Sequence, residues 1–595
     1  MAKNIKKTVE KKIVEENKYF NYLLVAAFAV FLCLFTTFKI TGDDDVFWHL
    51  ATGKYVLDTK SVPSTDVFGY MTYGQEWMPF EWGWDILTYG IYNIGGFEAI
   101  SILRTILLFA VFWIYFYIFR KFKVSYTVIF FSLFALSFAI IDRLTPRPHL
   151  MTYLFFALLL LIIIQYRYFN RNNYKILYFI PGIFLIWANM HMGIIAGAFL
   201  LGIFVLSEII TYFKPLSLGT KEVRPLEKNE LIRLIIIFGV SLLVMLINPN
   251  GFATYVYAYE HTKMKMLQTV NEWFSPFSER YGKGMATTFY KVLLFLGLLV
   301  LVDAFRKKDI FRALLYIGFA LYSVRAMRFT VDYVLILFIF IVLAINGFIV
   351  SLKSQSVKDF IEKKPLLKIG LILLFIYTYS PILNNSIYLN FLQYYRITGF
   401  GINSDFIPVQ LFDFMKANNV QNIGERVFNH FGTGGFFIWN FPDKKNFIDS
   451  RNLNDDIFFK YNDLISKRPG FEKKLDEYGI DYAIYLAPDL VRMPEEMQST
   501  IISYFCTSPN WKLIFWDDKS FLWVRNLPKF EELIQKYEYK YLNPYSYSYY
   551  RQQIEKGLRE DKQTVKKEYD RKMSETPDGI VINSIKQIFG NKINN

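Results

Sequence analysis

Cysteine is almost missing from the chain: 595 residues hold two, Cys33 and Cys506. Two thiols that far apart exclude a disulfide framework and a cysteine-built zinc site. Histidine is sparse too, at five. Charged residues make up 20% of the chain against 53% hydrophobic and 19% aromatic, and the mean hydropathy is +0.23, which excludes a single soluble domain. The net charge of +15 is not gathered into one basic patch. Lys and Arg come in short clusters between apolar runs, a pattern that argues against a nucleic-acid partner and for topology signals. P-loop and dinucleotide fingerprints are absent, since Gly432 to Gly435 matches neither. A glycine-permitted turn into a helix is the preferred reading of that stretch over a phosphate cradle.

What the chain does have is a series of apolar runs, each long enough to cross a bilayer core of roughly 30 Å as a helix. Eleven spans are predicted, at 19–40, 99–119, 124–141, 149–166, 175–190, 193–213, 231–247, 287–304, 310–324, 329–350 and 368–389. The first follows Lys3, Lys6, Lys7, Lys11 and Lys12 and carries no small-residue cleavage pattern. It reads as a retained anchor with residues 1–18 in the cytoplasm. Arg120, Lys121 and Lys123, then Arg167, Arg171 and Lys175, then Arg306, Lys307 and Lys308 all fall on the inner side of that topology, as the positive-inside rule requires. No charge is read at mid-membrane depth of the kind coupling ions use.

The expected architecture is therefore an α-helical polytopic protein of the inner (cytoplasmic) membrane. Its transmembrane domain covers 19–390 and carries an outer loop at 41–98. An extracytoplasmic α/β domain at 391–528 and a helical C-terminal tail at 529–595 follow. In the outer loop, Trp77, Glu81, Trp84 and Thr88 have helical spacing, so Gln75 to Ile94 reads as an amphipathic helix in the headgroup layer. In the α/β domain, strands are expected at 426–429, 446–449, 481–486, 511–516 and 520–524, with helices at 406–417, 455–466, 470–478 and 494–505.

Candidate site residues gather on the outer side. Asp43, Asp44 and Asp45 directly follow the first span. Adjacent carboxylates repel, which invites a cation, a proton or a polar substrate, and one left ionised can act as a base. If a helix restarts there, Asp45 and His49 share a face. The competing reading is that the aspartates only cap that helix. A divalent cation (Mg2+ or Mn2+) on the three aspartates stays open, because no ligand spacing demands one. Later outer turns bring Arg143, Arg147 and His149, then Asn189 and His191, then Glu272, then Arg325 and Arg328. Arg325 and Arg328 are expected on one helix face. Snorkelling to headgroups is the competing reading for the arginines, and a satisfied structural hydrogen bond for the histidines.

Asp45-Val46-Phe47-Trp48-His49-Leu50-Ala51-Thr52-Gly53, Pro63 to Asp66, Arg147-Pro148-His149, Trp187 to His191, Asn248 to Gly251, Glu272-Trp273 and, more weakly, Phe447 to Arg451 occur in that order. This ordered set resembles the GT-C class of membrane glycosyltransferases, in particular a bacterial branch that is protein-mannosyltransferase-like or RgtA/B/C/D-like. The resemblance covers roughly residues 20–350. It implies transfer of a sugar from a polyprenyl-phosphate carrier to a glycan, lipid or protein acceptor outside the cytoplasm. An aspartate of the first outer loop would serve as base, and the arginines would hold the departing phosphate. The other readings are a transporter or flippase of lipid-linked sugars, a ligase or polymerase moving whole glycans from diphosphate carriers, and an inactive scaffold.

Overall fold

A bilayer offers backbone N–H and C=O groups no partner, so apolar runs cross it as helices. The structure is a computed structural model and describes residues 2–42, 44–214, 223–279, 282–351, 360, 365–392, 396–451, 454–486 and 499–594. Among these, seven helices are long and apolar enough to cross a membrane: Lys18–Thr36, Trp82–Lys121, His149–Phe169, Ile194–Phe213, Met285–Lys307, Met327–Ser351 and Pro365–Leu383. The other four expected spans fall on shorter helices, Tyr126–Ala139, Tyr174–Trp187 and Ile310–Ser323 and the 17-residue Lys228–Val244. At 1.5 Å per residue, 14 residues reach only about 21 Å.

The chain divides into two units, one built from residues up to Ile40 with Phe80–Gly401, the other from Thr41–Pro79 with Ile402–Asn595. The expected amphipathic helix at 75–94 is displaced accordingly. It starts at Trp82 and runs on to Lys121, interrupted at Gly95 and Gly96, where the backbone leaves the helical region. Pro79 lacks the N–H an earlier start would use and biases Met78 toward extended backbone. Trp77 therefore belongs to the other unit.

In the first unit, lipid tails are as apolar as the helix faces, so association depends on close packing and polar contacts rather than on water exclusion. Phe28, Phe31 and Phe35 of the first helix pack on Phe134, Phe138 and Phe375. The Tyr379 and Tyr388 hydroxyls donate to the carbonyls of Ala27 (2.7 Å) and Phe35 (2.9 Å). Two charged residues that fall within the expected spans, Arg104 and Glu208, are both fully buried. Arg104 donates to the Phe38 carbonyl and lies over that ring at 3.8 Å.

Glu208 belongs to a buried ionic network. It accepts from Arg167 and, at 2.8 Å to each oxygen, from Arg171. Arg167 also reaches Asp309 at 2.9 Å, and Arg312 pairs with Asp303 (2.5 Å) and Asp309 (3.0 Å). These arginines bind helices together as well as contributing positive charge. Arg167 and His149 lie at opposite ends of the helix His149–Phe169, about 27 Å apart along its axis at 1.5 Å per residue. The ionic network and the polar cluster around His149 thus occupy opposite ends of one helix bundle.

The second unit contains a four-stranded sheet of order β1-β2-β4-β3, with β1 Val427–Asn429, β2 Tyr482–Leu486, β3 Trp511–Trp516 and β4 Ser520–Arg525. β1 runs parallel to β2, and the other pairs are antiparallel, with Ile484 opposite Leu522. Residues 446–449 do not form the expected strand. Asn446 makes a single bridge to Gly69, and side chains turn this backbone: Asn446 Nδ2 donates to Gly434 O and Asp449, while Asp449 binds Arg451. In place of a helix at 494–505 there is one at Ile501–Thr507; residues 487–498 lie outside the described residues. Helices Tyr547–Glu560, Lys562–Glu575 and Ile580–Asn594 bury Ile554, Val565, Ile585 and Phe589 in the same core as Phe428 and Trp523 of the sheet.

Candidate functional site

The acidic segment lies in the second unit. Asp43 lies outside the described residues. Gly42 has φ +60°, a backbone that suits glycine and turns the chain sharply after the first helix. A helix does restart at Asp45 and runs to Thr59. Asp44 is buried and caps a different helix, Gly434–Asn440, which opens at the glycine-rich turn. The N–H groups of Gly435 and Phe436 donate to its Oδ2 (2.7 Å) and Oδ1 (2.9 Å). A Cβ at Gly435 would stand 2.5 Å from the Asp44 carbonyl oxygen, so only glycine allows this approach. The turn thus receives a carboxyl of the chain itself. Asp45 is half-buried, and His49, one turn later, is buried with its ring against Trp48.

The motif residues Asp66 and Arg451 fix the same segment. Asp66 accepts from the Phe68 and Gly69 N–H groups (3.0 and 3.1 Å), the Thr72 hydroxyl (2.5 Å) and Arg451 (2.7 Å). Arg451 is also bidentate to Asp449, at 2.8 and 2.7 Å. Burial works against the Asp449 charge, but Arg451 holds its carboxyl below the usual range. Burial pushes Asp44 up to about 8 despite its two backbone donors, with Asp449 and Asp45 adding to the rise.

Because the folded pKa of Asp44 lies above the unfolded value, the proton-bound form is favoured by folding. That stability is fully present below about pH 4 and is lost as pH rises through about 8. Thermal unfolding at acidic and alkaline pH should show this loss in the wild type and a flatter profile in Asp44→Asn. Asp44→Ala leaves two buried N–H groups without an acceptor and should cost about 1–3 kcal/mol. A pH profile unchanged in Asp44→Asn would contradict this account.

The polar residues of the first unit converge around Glu272. Arg143 pairs with its carboxylate at 2.7 Å and Arg328 at 3.7 Å, and Arg328 lies over the Trp273 ring at 4.5 Å. Burial raises the Glu272 pKa, but Arg143, Arg328 and Arg147 together outweigh it and bring the group down to about 2. His149 Nε2–H donates to the Arg143 carbonyl at 2.8 Å, which fixes its tautomer. His191 Nδ1 accepts the Gly193 N–H at 3.0 Å and lies 2.8 Å from Thr152 Oγ1, which itself accepts the Trp187 indole N–H at 2.9 Å. Nδ1 is therefore the acceptor and Nε2 carries the proton. Burial, together with Arg328 and Arg143, lowers the His191 pKa to about 3, so the ring is neutral. Its Nε2 faces Glu81 Oε1 at 3.7 Å.

No protein-family model and no curated protein sequence matches the chain. Among solved structures it is similar to the Archaeoglobus fulgidus oligosaccharyltransferase in its apo form, with TM-score 0.51 and 11% identity over 82% of this chain and 71% of that one. It is also similar to the archaeal oligosaccharyltransferase AglB from Archaeoglobus fulgidus in complex with an inhibitory peptide and a dolichol-phosphate. There the TM-score is 0.50 and the identity 10%, over 84% of this chain and 73% of that one. The chain has the GT-C fold. At this identity the likeness establishes architecture, that of a multi-pass membrane protein.

Within the GT-C fold, Arg143, Arg147, Arg328, His149, His191 and Glu272 act on one another through the contacts and charges above. Two expected members are placed differently. Arg325 is exposed and shares no helix face with Arg328, because the helix ends at Ser323, Ala326 is extended and Arg328 sits in a short 3-10 turn. The Asn189 amide stitches a corner: it donates to the carbonyls of Leu185 and Ile247 and accepts from Trp82 Nε1, each at 2.9 Å. Glu81 and Thr152 belong to the cluster and escaped the sequence reading. Thr152 lies three residues after His149, a helical spacing that could have found it.

Among the described residues, no group of three or more His, Cys, Asp or Glu side chains could hold a metal ion. Both oxygens of Asp44 are taken by backbone donors. Among the described residues, which leave out Asp43, the acidic side chains form no Mg2+ or Mn2+ site.

Proposed function

We propose that the chain is a membrane glycosyltransferase of the GT-C type that moves a sugar from a polyprenyl-phosphate-linked donor to a glycan, lipid or protein acceptor outside the cytoplasm. The observation that carries this reading is the grouping of three guanidinium groups, Arg143, Arg147 and Arg328, around the carboxylate of Glu272, with Asp332 and Asp142 also within the field of Arg143. Guanidinium forks in such a group suit the phosphate of a lipid carrier. One structural neighbour is an oligosaccharyltransferase in complex with a dolichol-phosphate. In the transfer, the acceptor hydroxyl gives its proton to Asp45 and forms a bond to the anomeric carbon. The bond from that carbon to the phosphate oxygen breaks, and its electron pair leaves on the lipid phosphate. Residues 1–18 are cytoplasmic, the transmembrane domain spans 19–390 of the inner membrane, and the domain at 391–528 and tail at 529–595 are extracytoplasmic.

The test uses the full chain purified in detergent, with undecaprenyl phosphate and its monoglycosyl derivatives as ligands and mass spectrometry of any product. Arg143→Gln and Arg328→Gln should each weaken binding of undecaprenyl phosphate about tenfold, the size of one charge-assisted contact. Unchanged affinity in both variants removes the phosphate assignment. The oligosaccharyltransferase neighbours favour a second reading, transfer of a whole glycan. The mass of the product separates the two.

A further inference from the structure

Tyr153 stands among the charged groups around Glu272 with its hydroxyl unused. It lies one turn after His149 on the helix His149–Phe169, about 6 Å further into the span, and its ring packs on that imidazole with centroids 5.2 Å apart. The residue is only 3% exposed, yet among the described residues its hydroxyl has no hydrogen-bond partner. Tyr290, Tyr333 and Tyr388, buried in the same unit, bond theirs to the Ser323 hydroxyl (2.8 Å) and to the carbonyls of Leu293 (3.2 Å) and Phe35 (2.9 Å). A buried O–H without an acceptor costs stability, so the exception needs a cause. The charges of Arg143, Asp332, Glu272 and Asp142 all act on Tyr153. None of these carboxylates takes its proton. Glu272 pairs with Arg143 and Arg328, Asp332 Oδ2 accepts the Tyr322 hydroxyl at 3.0 Å, and Asp142 Oδ1 is buried without a partner, beyond the hydroxyl's reach.

We propose that Tyr153 is a further phosphate-binding residue, whose O–H donates to an oxygen of the lipid carrier's phosphate while Arg143 and Arg328 pair with the same group. The ligand then supplies the acceptor that the protein withholds. An anionic oxygen is the matching chemistry, because a hydrogen bond to it is charge-assisted and roughly twice as strong as one to a neutral hydroxyl. Guanidinium groups in the same cluster favour an anion there. The depth fits as well: one turn inside a membrane-crossing helix, the hydroxyl suits a phosphate whose tail stays among lipid rather than a free phosphate in water. The ring contact with His149 holds the phenol in place. The inference rests on the donor being carried on a lipid phosphate.

Binding of undecaprenyl phosphate and of undecaprenol to the full chain in detergent tests it, with Tyr153→Phe and Arg143→Gln beside the wild type. Phenylalanine keeps the ring against His149 and removes only the hydroxyl. Tyr153→Phe should bind undecaprenyl phosphate about tenfold more weakly and undecaprenol as the wild type does. Without ligand its thermal unfolding midpoint should equal or exceed that of the wild type, because no internal hydrogen bond is lost and a buried unpaired hydroxyl is removed. A lower midpoint without ligand means that the hydroxyl serves the fold and overturns the proposal, as does an equal loss of both lipids. Unchanged affinity for undecaprenyl phosphate in Tyr153→Phe overturns it too; where Arg143→Gln still loses that ligand, the phosphate assignment stands. A wild type that binds undecaprenyl phosphate no better than undecaprenol ends the phosphate reading and the Tyr153 role together.

Discussion

Asp45→Asn should lower the rate of sugar transfer by about 10² to 10⁴, the usual contribution of a positioned general base, while leaving the affinity for undecaprenyl phosphate unchanged. Asp44 is set aside as the base because of what its carboxyl already does. Both Asp44 oxygens accept backbone N–H groups inside a packed interior, and burial pushes its pKa up to about 8. A group so held is a structural cap and a poor proton acceptor for substrate. Asp45 opens the helix Asp45–Thr59, keeps partial exposure and stands one turn before His49. Asparagine preserves its shape and tolerates a helix start, so lost turnover with retained lipid binding isolates the proton transfer. An Asp45→Asn enzyme at full rate would remove the role. If Asp43→Asn alone abolishes transfer, the base is the preceding carboxylate.

The membrane helices were legible because bilayer crossing imposes one length and one composition on every span. That rule has no purchase on Tyr126–Ala139 or Ile310–Ser323, which at 14 residues each are held by neighbours instead of by crossing unaided. Sheet strands were legible where alternate residues feed one core, as in Tyr482–Leu486 and Ser520–Arg525. At 446–449 the pattern failed, because the Asn446 and Asp449 side chains redirect the backbone and no periodicity reports a side-chain bond. The same limit applies at the site. Types of residue were readable from Arg143, Arg328, His191 and Glu272, whereas the pairing of Glu272 with Arg143 spans 129 positions and leaves no local trace. The identity of the Asp44 partner, some 390 residues away in a glycine-rich turn, is equally nonlocal. Glycine at 435 was the one local hint, since the close approach to Asp44 forbids a Cβ there.

Positive charge at helix ends is ordinarily read as a topology signal, and Arg167 and Arg171 fit that reading by sequence alone. Their burial gives them a second task, and Glu208→Ala should expose it as the largest stability loss among single substitutions in the first unit. Glu208 is fully buried and accepts three guanidinium hydrogen bonds. Its removal leaves the Arg167 and Arg171 guanidinium groups close together, while Asp309 stays bound to Arg167. Breaking a buried ionic group in this way costs about 3–5 kcal/mol, because buried guanidinium charge is left without the carboxylate that offset it. Thermal unfolding in detergent should shift down on the order of 10 °C. Glu208→Leu combined with Arg171→Leu should recover part of the loss, since replacing both partners with apolar groups removes the stranded charge as well as the bond. The fraction that stays folded should bind undecaprenyl phosphate as the wild type does, because the cluster of Arg143 and Arg328 around His149 lies at the opposite end of the helix His149–Phe169 from Arg167. An unshifted unfolding midpoint in Glu208→Ala would mean that water reaches these arginines and that the ionic network does not hold the bundle together.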